Sequence, residues 1–310
     1  MKLMPNVPLS QFAKELVHEV QEDDVFNGAA VLGFYLTLAV FPAMVFLMAT
    51  IPYLPIPNVD QAIMDALRQA LPASAAQMFA GVVQEITSQQ RGGLLSLGLL
   101  GALWATSTGM YAVMQQLNVS YDVKESRGFV KARAVAIGLS LLFVVLVLGA
   151  FSLIVAGGML QEWLGERFGL SQGLLTVFVI FRWLMIVSAL TLAFALIYYL
   201  APNVKQKFAF ITVGSVLGVL MLMAASLGFA WYAQNFGGYD ATYGSIGAVI
   251  ILMLWLYIAG LSILFGSQVN ALIEHHTAGG KDKGEQVAGQ KQHDPVVARR
   301  AAAAAPDRGD

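Results

Sequence analysis

The sequence predicts an all-α integral membrane protein, a bundle of six transmembrane helices with short amphipathic helices at the N-terminus and on the periplasmic side. Two observations lead to this fold class. Hydrophobic residues make up 57% of the 310-residue chain and charged residues only 12%, against roughly 25% charged residues in a soluble domain. Six apolar runs are each long enough to cross a hydrocarbon core of roughly 30 Å as a helix. They cover approximately residues 28–51, 93–117, 134–159, 173–200, 208–233 and 244–269.

The segment before the first run, residues 1–27, is predicted to form a cytoplasmic amphipathic helix. Its apolar residues recur at helical spacing on one face: Leu9, Phe12, Leu16, Val17 and Val20. The polar face is mostly acidic, so we expect this helix to dock against the protein rather than to bind anionic lipid. The first run lacks the basic flank and the cleavage site of a signal peptide, and we expect it to be a retained span.

Residues 58–91, between the first two runs, are predicted to form an amphipathic cap at the periplasmic surface. The segment breaks at Pro72, and its second half places Met78, Phe79, Val82 and Ile86 on one helical face. One interpretation is a lid or vestibule for a substrate. The favoured interpretation is structural cover at the membrane boundary.

The membrane domain, residues 28–270, contains two features that bear on packing. Pro42 lies in the middle of the first span, where it should kink the helix, either lining a cavity or making a passive bend. Small residues at four-residue spacing, Gly101 to Gly109 and Gly214 to Gly218, are typical of close helix packing. After the last span, residues 271–310 are predicted to be a cytoplasmic, largely disordered tail.

The orientation follows from the distribution of lysine and arginine. With both termini cytoplasmic, the inner side holds fourteen basic residues and the outer side only Arg68, Arg91 and Arg167, with Arg182 inside the membrane. We therefore expect a multi-pass protein of the bacterial inner membrane with the N-terminus and the C-terminus in the cytoplasm.

The distribution of reactive side chains argues against an enzyme. The chain has no cysteine, none of its 19 carboxylates falls well inside a predicted span, and all four histidines lie in cytoplasmic segments. Intramembrane proton relays and metal-dependent hydrolases both need such residues. We expect no cofactor, no bound metal and no nucleic-acid partner.

Arg182 is the exception to this apolar interior. It lies in "TVFVIFRWLMIVSAL", about nine residues or roughly 13 Å from the outer end of its span. An arginine at that depth costs at least ~2.5 kcal/mol and should face the bundle interior or a wet cavity. Its guanidinium suits a phosphate or carboxylate, such as the headgroup of an anionic lipid. The alternative is a structural lock to helix-end carbonyls or to Asp240, Glu162 or Glu166.

Three stretches carry a recognisable family pattern. The first stretch, "DDVFNGAAVLGFYLTLAVFPAMVFL", contains Tyr35, Phe41 and Pro42. The second, "LWATSTGMYAVMQQLNVSYDVKESRGF", contains Trp104, Asn118, Tyr121 and Arg127. The third, "YGSIGAVIILMLWLYIAGLSILFGSQVNALIEH", contains Tyr243, Trp255, Gly266 and Asn270. With Arg182-Trp183, Tyr198, Pro202 and Asn203, these resemble the YihY/BrkB family of bacterial inner-membrane proteins, some once labelled ribonuclease BN. The resemblance covers roughly residues 20–275, and Ala39 departs from the serine that relatives often carry there.

The resemblance implies a six-helix inner-membrane protein and suggests transport of a lipid or envelope glycolipid. The leading hypothesis is a transporter or flippase-like protein for an anionic amphipathic substrate. The candidate substrate-binding residues are Arg182, Tyr35, Pro42, Trp104, Asn118, Tyr198, Tyr243, Trp255 and Asn270. The alternative is a scaffold that binds envelope proteins without transport, and a membrane-bound ribonuclease is the least favoured reading. Membrane lipid is the expected partner, and the sequence leaves a homo-oligomer open.

Overall fold

The computed structural model describes residues 7–50, 92–168, 171–206, 211–236, 245–277 and 285–286. Within these ranges the chain forms seven helices and no strand. They are α1 (Leu9–Glu22), α2 (Val25–Thr50), α3 (Gly92–Ser120), α4 (Phe129–Phe168), α5 (Gln172–Leu200), α6 (Val213–Phe236) and α7 (Ser245–His275). The predicted cap at 58–91 and Tyr243 lie outside the described residues.

Five of the described helices are long and apolar enough to cross a membrane: α2, α4, α5, α6 and α7. The chain is therefore an all-α membrane protein. The second predicted span corresponds to α3, a 29-residue helix that is not among these five. The side chains of its first eight residues, 92–99, lie outside the described part of the chain. The six spans predicted from the sequence are thus supported for five helices, and α3 packs among them.

The helices differ from the predicted runs mainly in length. Helix α4 has 40 residues and extends beyond both ends of the predicted run 134–159. At about 1.5 Å per residue it is roughly 60 Å long, well over the thickness of a bilayer. Pro42 lies inside α2, which continues through it to Thr50.

The bundle is arranged around α2, which packs against both α3 and α7. Helices α3, α4, α5, α6 and α7 follow one another as neighbours, and α7 also contacts α3. We call the end that carries α1 and the loops 121–128 and 201–206 the loop end. The largest fully buried apolar side chains lie in the half of the bundle nearest this end: Leu32, Met114, Leu117, Tyr198, Val219 and Leu264.

Side chains nearer the opposite end are mostly exposed among those described. Examples occur on four helices: Leu100 and Trp104 on α3, Val145 on α4, Leu174, Val177, Ile180 and Phe181 on α5, and Leu227 and Trp231 on α6. In a membrane protein such surfaces face acyl chains or open grooves between helices. Among the described residues, the closely packed side chains therefore lie at the loop end, and those nearer the other end lie largely on the surface.

Helix α1 docks on α7 through both apolar and polar contacts. Phe12 is buried against Val269 and Leu272. His276 Nε2 lies 2.5 Å from the Glu15 carboxylate, and the side-chain amide of Gln268 donates to Asp23. The acidic face thus finds its partners on the protein, as expected for an amphipathic helix without a basic face.

Two residues of the predicted disordered tail have a defined place in the structure. The backbone N–H of Lys205 donates to the carbonyl of Gln286, 2.8 Å away. The side-chain amide of Gln286 donates to the Lys124 carbonyl and to the Ser126 hydroxyl. Glu285 is buried beside them. The two loops supply the hydrogen-bond partners of this pair, and residues 271–275 of the predicted tail belong to α7. That the tail is largely disordered stays a prediction, because the rest of it after Thr277 lies outside the described residues.

Candidate functional site

Arg182 projects from α5 onto a pair of glycines in α4. A Cβ built on Gly157 would lie 2.5 Å from Arg182 Cδ, and one built on Gly158 would lie 3.5 Å from Nη1. Any larger side chain at Gly157 would displace the arginine. The two glycines therefore create the space that this long side chain occupies between two membrane helices.

The guanidinium of Arg182 is incompletely satisfied. Its Nε is buried and has no hydrogen-bond partner among the described residues. A buried donor without an acceptor costs about 1–3 kcal/mol, and more for a charged group. Of the partners considered for a structural lock, Asp240 and the side chains of Glu162 and Glu166 lie outside the described part of the chain. No described carbonyl accepts from Arg182, and its role in binding stays a prediction.

A second arginine reaches into the membrane domain from α4. The Arg133 guanidinium lies over the Trp104 ring, 4.1 Å from its centroid, and Nη2 donates to Thr108 Oγ1 at 3.0 Å. The Nε of Arg133, like that of Arg182, is buried without a partner among the described residues. Arg133 is one of the fourteen basic residues that the sequence analysis placed on the cytoplasmic side, and that assignment missed its contacts with α3. The available signal was its position inside the apolar window Phe129–Leu146.

The loop end is held together by a buried ion pair. Glu125 accepts from the backbone N–H, Nε and Nη2 of Arg127 at 2.7–2.9 Å. Arg127 Nη2 also donates to the Ala201 carbonyl at the end of α5. The two side chains are 8% and 11% exposed. Together with Asn118, which donates to Glu125 at 3.2 Å, they form what we call the loop clasp.

The electrostatics of the loop clasp favour a charged Glu125. Burial alone would raise the pKa of this carboxyl, but the hydrogen bonds and charge of Arg127, with the hydrogen bond from Asn118, together lower its pKa below the ordinary value. Burial raises the pKa of Tyr121, and the Glu274 carboxylate adds to that effect. Glu125 therefore acts as an acceptor and the Tyr121 hydroxyl keeps its proton.

Asn118 and Asn203 connect the loop clasp to the second loop. The backbone N–H of Asn203 donates to Asn118 Oδ1 at 2.7 Å, and the Asn203 amide donates to Ser126 Oγ at 2.6 Å. Asp122, at φ 53°, turns the chain so that the N–H of Val123 reaches the Asn118 carbonyl. Beside these contacts lies an open cavity of about 530 Å³ lined by Arg127, Tyr199, Leu200, Pro202, Asn203, Val204, Lys205, Gln206 and Gln286.

Tyr198 and Asn270 lie at a very close crossing of α6 and α7. The Tyr198 hydroxyl donates to the Ile263 carbonyl at 2.8 Å. Asn270 accepts from the N–H of Gly214 at 2.9 Å and donates to Thr212 Oγ1 at 3.0 Å. It thereby satisfies a free N–H in the first turn of α6 from another helix, the task of a capping side chain.

The other predicted residues occupy separate places. Tyr35 is half-buried and makes an edge-to-face contact with Phe34, and Trp255 is 37% exposed on α7. The described contacts place Asn118 in the loop clasp, Tyr198 and Asn270 at the α6–α7 crossing, and Trp104 with Arg133. Arg182 lies apart from all of them on the far half of α4 and α5.

One group of side chains on α1 has the spacing of a metal site. The ligand atoms of His18, Glu19 and Glu22 lie within 4.8 Å of one another, and His18 and Glu22 are exposed. His18 Nδ1 is 3.4 Å from Glu22. Exposed acidic groups of this kind are common without a bound ion.

Comparison of the sequence with known proteins relates the chain to a group of membrane proteins. The family model described as virulence factor BrkB matches residues 16–290. The chain is 34% identical over 262 residues to YfkH of Bacillus subtilis, whose name describes it as ribonuclease-like, covering 84% of this chain and 94% of that protein. It is 25% identical over 265 residues to a UPF0761 membrane protein of Vibrio vulnificus, covering 84% and 82%. No solved structure matches.

Proposed function

The chain belongs to the virulence factor BrkB family, and from this premise we propose that it binds an anionic amphipathic lipid or glycolipid and transports it across the membrane. The observation that carries the proposal is Arg182. Arg182 places a guanidinium inside an apolar helix. Its Nε is buried and donates to no described residue. A phosphate or carboxylate headgroup supplies acceptors of the right geometry and the compensating charge.

The surroundings of Arg182 suit the acyl part of such a ligand. Helix α5 has an exposed apolar surface on both sides of the arginine along the chain, including Ile180, Phe181 and Leu184. The described side chains of α5 at this level lie largely on the surface, whereas the largest fully buried side chains lie nearer the loop end. A lipid can therefore approach Arg182 from the bilayer with its chains remaining in an apolar environment.

The topology completes the proposal. We place six spans in the bacterial inner membrane, with α3 as the second span and both termini in the cytoplasm, because the basic residues concentrate on the loop-end side. Membrane lipid is the partner that this arrangement requires. Tyr35 and Pro42 lie on α2, which lies at the centre of the bundle. Trp255 lies on the neighbouring α7.

The test is lipid transport in proteoliposomes that contain fluorescently labelled phosphatidylglycerol. We expect Arg182→Ala to insert and fold but to lose transport, and Arg182→Lys to keep part of it, because lysine retains the charge but not the planar fork. The matched control is Arg167→Ala, which removes an exposed arginine from the end of α4. Transport that is unchanged in Arg182→Ala rejects the proposal.

Two rival functions give different outcomes. A scaffold that binds envelope proteins through α1 would retain its protein partners and show no transport in the parent protein. A ribonuclease, the activity in the name of YfkH, would cleave RNA with a metal. The potential ligand group His18, Glu19 and Glu22 allows a direct check, because His18→Ala would then abolish cleavage. We propose that this chain is not an enzyme and expect no cleavage by the purified protein.

A further inference from the structure

Arg133 points the wrong way for an arginine near a helix end. Its backbone lies four residues into α4, at the loop end. Long basic side chains in such positions normally extend toward the membrane surface. Arg133 instead bonds Thr108, which lies twelve residues or about 18 Å before the end of α3 at Ser120. Ser140, seven residues further along α4, bonds the Thr106 carbonyl, so Thr108 lies ahead of Arg133, toward the membrane interior.

The contacts made there leave the guanidinium able to accept a ligand. Nη2 bonds the Thr108 hydroxyl, and Nε is buried without a partner among the described residues. No described residue accepts from Nη1. The Trp104 ring, 4.1 Å from the guanidinium carbon, compensates part of the charge through its π face but offers no oxygen acceptor. An anion placed over this arginine would supply what the protein lacks.

The surface beside Arg133 is apolar and open. Trp104 is 63% exposed, and Leu100, one helical turn away on the same face of α3, is 65% exposed. A cation bordered by an exposed apolar strip fits a ligand with an anionic head and an acyl tail. A free anion has no apolar part that could contact this strip.

The two arginines are related through α4. Arg133 and Gly158, the glycine next to Arg182 Nη1, are 25 residues apart, which is close to seven turns of about 3.6 residues. Both positions therefore lie on one side of α4, about 37 Å apart along its axis. Because the Arg133 side chain extends toward the membrane interior, the two guanidinium groups lie closer together than this backbone spacing.

We propose that Arg133, Trp104 and Thr108 form a second binding site for the headgroup of an anionic phospholipid, at the opposite membrane level from Arg182. The inference rests on the proposed function, since it names a second site for the same class of lipid. Helix α4 carries both sites on one side and connects the two levels.

The test uses Trp104 as the reporter. In full-length protein with the other four tryptophans replaced by phenylalanine, we measure quenching by brominated phosphatidylglycerol and brominated phosphatidylcholine in nanodiscs. We expect stronger quenching by phosphatidylglycerol, and a weakening of this lipid's binding by about tenfold or more in Arg133→Gln, as for loss of a charge-assisted hydrogen bond. The matched control, Lys131→Gln, removes an exposed charge two residues away on α4 and should retain the preference.

The outcomes separate the possibilities. Equal quenching by the two lipids, a preference that survives Arg133→Gln, or an equal loss in Lys131→Gln overturns the site. A preference abolished by inorganic phosphate in the buffer overturns the assignment to lipid. If the tryptophan-reduced protein does not fold, native mass spectrometry decides in the same way: Arg133→Gln should bind less phosphatidylglycerol than the parent and Lys131→Gln, and equal binding by all three overturns the site.

This measurement reports binding at one level and requires no transport. A preference at Trp104 in a protein that does not transport lipid would contradict the proposed function and leave the second site intact. Conversely, transport that depends on Arg182, without any preference at Trp104, would reject only the second site.

Discussion

The crossing of α6 and α7 should tolerate no side chain at Gly266. A Cβ built there lies 2.5 Å from the carbonyl oxygen of Gly214 and also contacts the Tyr198 hydroxyl. Ordinary contact begins at 3.4 Å, so Gly266→Ala must separate the helices by about 0.9 Å, the difference between these two distances. The same movement would lengthen the 2.9 Å bond from the Gly214 N–H to Asn270 to about 3.8 Å, which is no longer a hydrogen bond.

The magnitude follows from three effects. Overpacking costs about 1–3 kcal/mol, the lost hydrogen bond costs about 0.5–1.5 kcal/mol, and alanine gains about 1 kcal/mol over glycine in a helix. We expect a net loss of about 0.5–3.5 kcal/mol, which lowers the melting temperature by several degrees.

The assay is thermal unfolding of purified protein in detergent, followed by intrinsic fluorescence. The matched control is Gly228→Ala on α6, where a Cβ would meet nothing within 4 Å, and it should be neutral or slightly stabilising. A Gly266→Ala protein that melts with the parent, or a control that loses as much, refutes the reasoning.

Three further predictions concern the loop end and the α6–α7 crossing. Because the folded-state pKa of Glu125 is lowered, its contribution to stability should be complete above the unfolded value near 4.5 and should be lost as pH falls through the folded pKa. Glu125→Gln should remove this acid-dependent part of the stability in unfolding measured from pH 7 downward. A pH profile that is unchanged in Glu125→Gln would contradict the prediction. Asn270→Ala should lower the free energy of unfolding by about 1–3 kcal/mol, because it leaves the Gly214 N–H without an acceptor, and detergent unfolding that matches the parent would exclude a capping role. Gln286→Ala should increase proteolysis of the loop that contains Ser126 at the loop end, since its amide bonds that loop, and identical cleavage rates would show that the tail contact is dispensable.

The sequence predicts much of this structure because the length and apolar composition of a run of residues are enough to identify a membrane-spanning helix. Apolar length alone locates α2, α5, α6 and α7 to within about six residues at each end, and α4 to within about nine. Small-residue spacing also correctly indicates close packing at Gly214 and Gly218, where a Cβ would clash. The same spacing says nothing at Gly101, which has no neighbour within 4 Å, because spacing does not reveal which face of a helix meets another.

The roles of polar residues could not be read in the same way. The family pattern marks Asn118 and Asn270, but their partners lie 85 and 56 residues away in sequence, and only the fold brings them together. Both bond main-chain groups that would otherwise be unsatisfied. The pattern therefore reflects structural positions here as well as candidate binding positions.

The two arginines illustrate the limit most clearly. Arg182 stands out in the sequence because it interrupts an apolar run. Arg133 does not stand out, since the positive-inside rule already explains a basic residue two positions from Lys131. The direction of a long side chain depends on its neighbours, here Trp104 and Thr108, and no local pattern encodes it.

The central claim is that Arg182 binds the headgroup of an anionic lipid, and native mass spectrometry of gently purified protein tests it most directly. The account predicts that the parent protein and Arg167→Ala retain the same number of anionic lipid molecules and that Arg182→Ala, while remaining folded, loses the molecule bound at Arg182. An equal number of bound anionic lipids in Arg182→Ala and in the parent, or a parent protein that carries no anionic lipid at all, would contradict the account.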